Sequence, residues 1–329
     1  MGRLLHLFKM FWNELKKPIF VLAPLADVTD AAFRALIAKY GKPDVFFTEF
    51  VSADGLCSAG RDHLMRDLAY SEAERPIVAQ LFTGKPENME KAAALVRELG
   101  FDGVDINMGC PDRAVEKQCA GAALMKNYAL ARALIAAAKK GSQGLPVSAK
   151  IRIGYNKNEI ETWLPELLAE EPAAITVHGR TRKEMSLVLA HWDVIARAVQ
   201  IRTELGSKTL ILGNGDVTSL ADAENKVRDF GVDGVMLGRA IFGNPWLFDR
   251  NKGEVSVEEK LRVMVEHTKL FEEMLGDIKN FAIMKKHYKA YVNGFDGAKE
   301  LRVRLMEAKD AAEVEKIVSG FVQQNLTHD

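Results

Sequence analysis

The stretch TLILGNGDVTSLADAENKVRDFGVDGVMLGR, residues 209–239, spells out one strand–helix–strand unit. An apolar run meets Gly213-Asn214-Gly215-Asp216, an amphipathic stretch from Leu220 ends at Gly231, and a second apolar run meets Gly238-Arg239. Helical spacing of apolar residues, with glycine in the C-cap place, predicts the helix. Neither run alternates with polar residues, so both faces of each strand are expected to be covered, as in a parallel sheet.

The same unit recurs outward from this stretch. Strand-like runs lie at IFVLAP (19–24), VFFTEF (45–50), IVAQLF (77–82), GVDINMGC (103–110), VSAKIRI (147–153) and AITVHGR (174–180), with helical segments such as PENMEKAAALVRELG (86–100) between them. Eight such units in about 240 residues fit an α/β fold of the TIM (β/α)8 barrel type. A doubly wound sheet would carry a glycine fingerprint after the first strand, where this chain has Pro24-Leu25-Ala26-Asp27. From about residue 254 the strand signals stop, and four amphipathic stretches predict a small all-α helical domain. The expected organisation is an N-terminal helical extension over 1–17, a barrel over 18–250 and a helical domain over 254–329.

Composition narrows the function classes. Of 329 residues, 48% are hydrophobic and 27% charged, which excludes disorder as the main state. Lys+Arg and Asp+Glu are equal at 45 each, so any nucleic-acid affinity must come from a local patch. Three cysteines, Cys57, Cys110 and Cys119, form neither a disulfide framework nor a zinc pattern. No metal and a reducing, cytoplasmic setting are expected. The first 17 residues carry no signal-peptide cleavage site, no apolar run is long enough to span a bilayer, and no membrane role follows. A monomer is expected.

Barrel active sites form at the C-terminal ends of the strands. Those positions hold Pro24, Leu25 and Ala26; Glu49; Gln80; Asn107 and Cys110; Lys150 and Arg152; His178 and Arg180; Asn214, Gly215 and Asp216; Gly238 and Arg239. The glycine turns after strands seven and eight, with Arg239 as their only cation, suit a phosphate-bearing cofactor. Lys150 suits either a Schiff-base nucleophile or a cation at a flavin's anionic edge. Gln80 offers donor and acceptor together, as an imide edge requires, or is simply a satisfied core amide. Cys110, between Gly109 and Pro111, is placed to present a thiol that is mostly protonated at neutral pH.

These residues resemble a family, the tRNA-dihydrouridine synthases. The resemblance runs from about Pro18 onward and is carried by APLADVTDAAFR (23–34), QLF (80–82), GVDINMGCP (103–111), GAALM (121–125), KIRIG (150–154), HGRTR (178–182), NGD (214–216) and GVMLGRAIFGNPWLF (234–248). It implies a barrel that holds FMN through Pro24, Leu25, Ala26, Gln80, Lys150, His178, Asn214, Gly215, Asp216, Gly238 and Arg239. It also implies NADPH or NADH as reductant, Cys110 as proton donor, and Asn107, Arg180 and Arg182 around the target base. The helical domain would meet tRNA, with MKKHYKAYVNG (284–294) and GAKELRVRLMEA (297–308) as its RNA-facing helices and Lys285, Lys286, His287 and Arg302 among the contacts. Between Lys279 and Arg304 seven basic residues face only Asp296 and Glu300, and Tyr288 and Tyr291 are interleaved for stacking on bases. The chain departs from the usual pattern at Leu25, Thr83, Cys119, Met185 and His191. Three other readings are a flavin barrel acting on a free pyrimidine, like the dihydroorotate dehydrogenases, a catalytically idle RNA-binding protein, and a Lys150 Schiff-base aldolase.

Overall fold

The computed structural model describes residues 11–325. The helix expected over 1–17 falls outside the described residues up to residue 10; Phe11–Asn13 form a single 3-10 turn. The chain divides into two compact units. One runs to Leu25 and from Pro43 to Gly238; the other comprises Ala26–Lys42 and the chain from Arg239.

The first unit is a barrel. Its strands are β1 (Ile19–Leu22), β2 (Phe46–Phe47, resumed at Val51–Ser52), β3 (Ile77–Phe82), β4 (Gly103–Met108), β5 (Val147–Arg152), β6 (Ala174–His178), β7 (Leu210–Asn214) and β8 (Gly234–Leu237). Every pairing is parallel, in the order β1-β8-β7-β6-β5-β4-β3-β2. A bridge from Val21 to Val45, with Leu22 N donating to Val45 O at 3.3 Å, joins the two ends of that order. All eight strand runs read from the sequence form strands. The second is interrupted because Thr48 Oγ1 accepts the Gln80 N–H at 3.1 Å and donates to Glu49 O at 2.8 Å, so a side chain replaces the ladder there.

Covering helices follow from the same period-of-3.6 pattern that the sequence displays. Pro86–Glu98 starts on a proline whose missing N–H costs nothing at that position, and it buries Met89, Ala92, Ala93 and Val96. Leu220–Phe230 begins on Ser219, which accepts the Asp222 N–H, and ends on Gly231 in the left-handed region at φ 68°.

Alternation along the strands sorts the barrel interior. Ile19, Val21 and Ala23 of β1 and its extension, Val45 and Phe47, Val78, Ala174, Leu210 and Leu212, and Met236 form one buried cluster, which Trp12 joins. Strands β4 and β5 interrupt this apolar lining: the positions that continue it are Asp105, Asn107, Ser148 and Lys150.

The second unit holds helices Ala31–Tyr40, Val257–Leu275, Met284–Tyr291, Ala298–Glu307 and Ala311–Asn325, the last four being those read from the C-terminal sequence. Val257–Leu275 starts on Ser256, which caps Glu259 N at 3.1 Å. Its core contains two imidazoles. His267 stacks on Phe33 at 4.4 Å and 13°, and His287 meets His267 edge-on at 4.6 Å.

Candidate active site

The polar strand ends of the barrel converge as a hydrogen-bonded set. Asn107 closes β4, and its Oδ1 accepts the backbone N–H groups of Gly109 at 3.2 Å and Cys110 at 2.9 Å. Its Nδ2 donates to Gln80 Oε1 at 3.0 Å, and Gln80 Nε2 donates to Asp105 Oδ2 at 2.7 Å. Asp105 Oδ1 accepts from Ser148 Oγ at 2.6 Å. Gln80, Asp105, Asn107 and Ser148 are all buried. Burial raises the Asp105 carboxyl to about 6, against its bonds to Ser148 and Gln80.

Cys110 follows this set and is half-buried. Burial pushes its thiol up; a hydrogen bond with the Asp112 main chain and the charges of Lys150 and Arg152 oppose this, while the Asp112 carboxylate charge adds to it. The group is therefore a protonated thiol at neutral pH, not a thiolate. Lys150 stands in register with Asn107 across the β4–β5 ladder. Burial and the neighbouring Arg152 bring it down to about 8, so it still carries its charge for the larger part at pH 7. Arg152 hooks three carbonyls, Gly109 O at 2.8 Å, Thr181 O at 3.0 Å and Met185 O at 3.2 Å, and so ties the turn before Cys110 to the segment after β6.

That segment carries a second cluster. Arg180 is buried; its Nη2 pairs with Asp216 Oδ2 at 2.5 Å and its Nε donates to Val188 O at 2.7 Å. Its Nη1 lies 3.1 Å from His178 Nε2; a guanidinium only donates, so that ring nitrogen accepts. Asp216 also accepts the Ala190 N–H at 2.8 Å. Gly215, at φ 128°, lies against Ala190 and the His178 ring, where a Cβ would stand 2.6 Å from Ala190 Cβ. Gly213 serves packing: a Cβ there would strike the Trp192 ring at 2.4 Å. Beside Gly238 a Cβ would meet only Ala23, at 3.7 Å, so that turn leaves room next to its main chain.

The sequence-read residues thus fall into distinct places. Gln80, Asn107, Cys110 and Lys150 come together on β3, β4 and β5, and His178, Arg180, Gly215 and Asp216 come together after β6 and β7. Asn214 Nδ2 is spent on Met236 O at 2.8 Å. Arg182 is held bidentately by Glu116, at 2.9 and 2.8 Å. Pro24 is buried, Leu25 half-buried, and Ala26 and Arg239 exposed. In the helical unit Lys286 is exposed and Lys285 half-buried, while Arg302 Nη1 donates to Val292 O at 2.7 Å. His287 must be corrected: it is fully buried, as are Tyr288 and Tyr291, because Met284, His287, Tyr288 and Tyr291 form the i, i+3, i+4, i+7 stripe that faces the core of the unit. None of the three can meet RNA. Sequence reasoning passed over Asp105 and Ser148; the signal for Asp105 was its position two residues before Asn107 on one strand, hence on the same face. Among the described residues no group of three or more His, Cys, Asp or Glu side chains could hold a metal ion, and no helix is long and apolar enough to cross a membrane.

A parallel β/α barrel with a thiol, an ammonium and oriented amides at its strand ends has the build of a catalytic barrel. Solved structures bear out the fold: histamine dehydrogenase from Rhizobium sp. 4-9 matches with a TM-score of 0.52 at 12% identity, over 76% of this chain and 48% of that one. A morphinone reductase mutant in complex with tetrahydroNAD matches with a TM-score of 0.50 at 13% identity, over 70% and 85%. The model of the dihydrouridine synthase (Dus) family matches residues 21–327, and the chain belongs to that family. Among its relatives are the probable tRNA-dihydrouridine synthase 2 of Bacillus subtilis (strain 168), 41% identical over 96% of this chain and 98% of the relative, and the probable tRNA-dihydrouridine synthase of Staphylococcus aureus (strain MRSA252), 39% identical over 95% and 96%.

Proposed function

We propose that this protein reduces the C5=C6 bond of uridine in tRNA, using FMN and NADPH or NADH. The observation that carries the reading is Cys110: a half-buried, protonated thiol one turn beyond β4, with its main chain gripped by Asn107 and with Lys150 in the neighbouring strand. The residues fit a flavin. Gln80 has spent one amide hydrogen and one oxygen lone pair, keeping one of each for an imide edge. Lys150 supplies a cation for an anionic ring edge, and the open turn at Gly238 leaves main chain for a phosphate to approach. His178, Gly215, Pro24, Leu25, Ala26 and Arg239 are assigned to the same cofactor on their strand-end positions; Asn214 and Asp216 act on it through the turns they brace.

When bound and reduced by the nicotinamide cofactor, FMN supplies the hydride that C6 receives. The chain's own part is the proton. Cys110 Sγ–H gives its proton to C5, and its raised pKa keeps the thiol loaded at neutral pH. Asn107 fixes the loop from which the thiol acts, and Arg152 fixes the turn before it. A uridine stacked in folded tRNA cannot reach a barrel interior and must be flipped out, at about a few kcal/mol. Lys285 and Lys286 on the helical unit are assigned to phosphate contacts that help to meet this cost.

Purified protein should be yellow, and with NADPH it should form dihydrouridine in an unmodified tRNA transcript. Colourless protein, together with unchanged dihydrouridine in tRNA from a strain lacking it, would refute the reading.

A further inference from the structure

We propose that Asp105 is a positioning residue: it is the acceptor end of a one-way relay through Gln80 and Asn107 that sets where the main chain at Cys110 lies. The polarity is fixed at the upper end. Backbone N–H groups only donate, so the Asn107 oxygen must face Gly109 and Cys110 and its NH2 must face Gln80. Gln80 must then offer its oxygen upward and its NH2 downward, to a group that accepts. Asp105 is that group, buried where no water competes, and Ser148 holds its other oxygen. Take away the acceptor and Gln80 is free to turn over. Asn107 must then either lose Gln80 or turn its own NH2 against the two N–H groups of the Cys110 turn.

The relay needs an acceptor at 105, not a charge. An amide there can accept from Gln80 and donate to the Ser148 hydroxyl, which rotates to receive it. Lys150, the charged group facing Asp105, would feel the loss of the carboxylate, so a purely electrostatic role makes the opposite prediction. The importance of the relay rests on reading Cys110 as the proton donor; its existence is tested without tRNA.

In the full-length protein, Asp105→Asn should leave thermal stability and Cys110 alkylation by iodoacetamide as in wild type. Asp105→Leu should speed alkylation of Cys110 several-fold, with Cys57 and Cys119 as references in the same digest. The decisive arm reverses the relay and does not depend on the leucine variant folding. Asn107→Asp alone puts acceptors at both ends of Gln80, so it should lower the melting temperature more at pH 8 than at pH 6, where one carboxyl can take up a proton. Adding Asp105→Asn restores a donor below Gln80, and the pair should regain most of the melting temperature and lose its pH dependence. A double variant no better than Asn107→Asp, a silent Asn107→Asp, or an Asp105→Asn variant that frees Cys110 as leucine does would each overturn the proposal.

Discussion

The two buried imidazoles of the helical unit predict an acid weakness of definite size. His267 and His287 lie ring against ring beneath Phe33, with both nitrogens of His287 and the Nε2 of His267 without a hydrogen-bond partner, and the His267 Nδ1 3.5 Å from the Tyr291 hydroxyl. Burial holds His287 down to about 3 and His267 well below the usual histidine range, with Lys286 adding to the first and His287 to the second. In the unfolded chain both titrate near the ordinary value of about 6.5. As pH falls below that value the unfolded chain takes up protons that the folded unit refuses. Stability then drops by about 1.4 kcal/mol per pH unit for each ring, or about 4 kcal/mol for the pair at pH 5.

Other groups do not mask this window. Asp54, Glu116, Glu184 and Glu266 have lowered pKa values in the fold, so what they contribute is intact above the carboxyl range and is lost only as pH falls through it. Asp105, raised to about 6, works in the opposite sense: its folded form binds the proton first, which offsets about 1.4 kcal/mol at pH 5. Urea unfolding followed by tryptophan fluorescence at pH 7 and pH 5 should therefore show wild type losing about 2–3 kcal/mol on acidification. A His267→Leu/His287→Leu variant, close in volume, should lose none of it and instead gain about 1.4 kcal/mol from Asp105, and each single variant should lose only roughly 0.6 kcal/mol. Equal losses in wild type and the double variant would refute the burial argument.

Three further outcomes bear on the proposed function. Cys110→Ala should keep its flavin and accept electrons from NADPH yet reduce tRNA about 10²–10⁴-fold more slowly, whereas Cys119→Ala, at an exposed position, should be silent; matching behaviour of the two in a single-turnover assay would end the assignment. Lys285→Glu with Lys286→Glu should raise the Michaelis constant for tRNA and flatten its salt dependence by roughly one unit of logarithmic slope for each phosphate no longer neutralised, with flavin content unchanged; an unaltered salt series would move the interface elsewhere. Arg239→Ala should release flavin on dialysis, and full retention in the absorbance spectrum would contradict its place beside the phosphate.

Most of the fold could be read because strand burial and helix period are local signals. The eight strand runs needed no partner to be recognised, and Gly231 sits where the helix before it must stop. What stayed hidden depends on neighbours distant in sequence. The Arg180–Asp216 pair joins residues 36 apart, and Thr48 breaks its strand only because Gln80 lies beside it. His287 is a different failure. The lysines on its helix suggested an RNA face, but Met284, His287, Tyr288 and Tyr291 already traced a buried stripe, and the helical period should have outweighed the charge.

The polar set inside the barrel is itself a sign of function. A barrel lined by Val21, Phe47, Val78, Leu212 and Met236 has no need of a carboxylate at its heart. Burying one with two amides and a hydroxyl is tolerable only because each polar atom named finds a partner, and it stabilises little compared with an apolar filling of the same shape. What it gains is direction: from Ser148 to the N–H of Cys110 each bond dictates the orientation of the next. A chain selected for stability alone would have filled these positions of β3, β4 and β5 as it filled those of β7 and β8. The apolar lining gives way on the strands that lead to the thiol, and there the fold exchanges packing for the placement of one reactive atom.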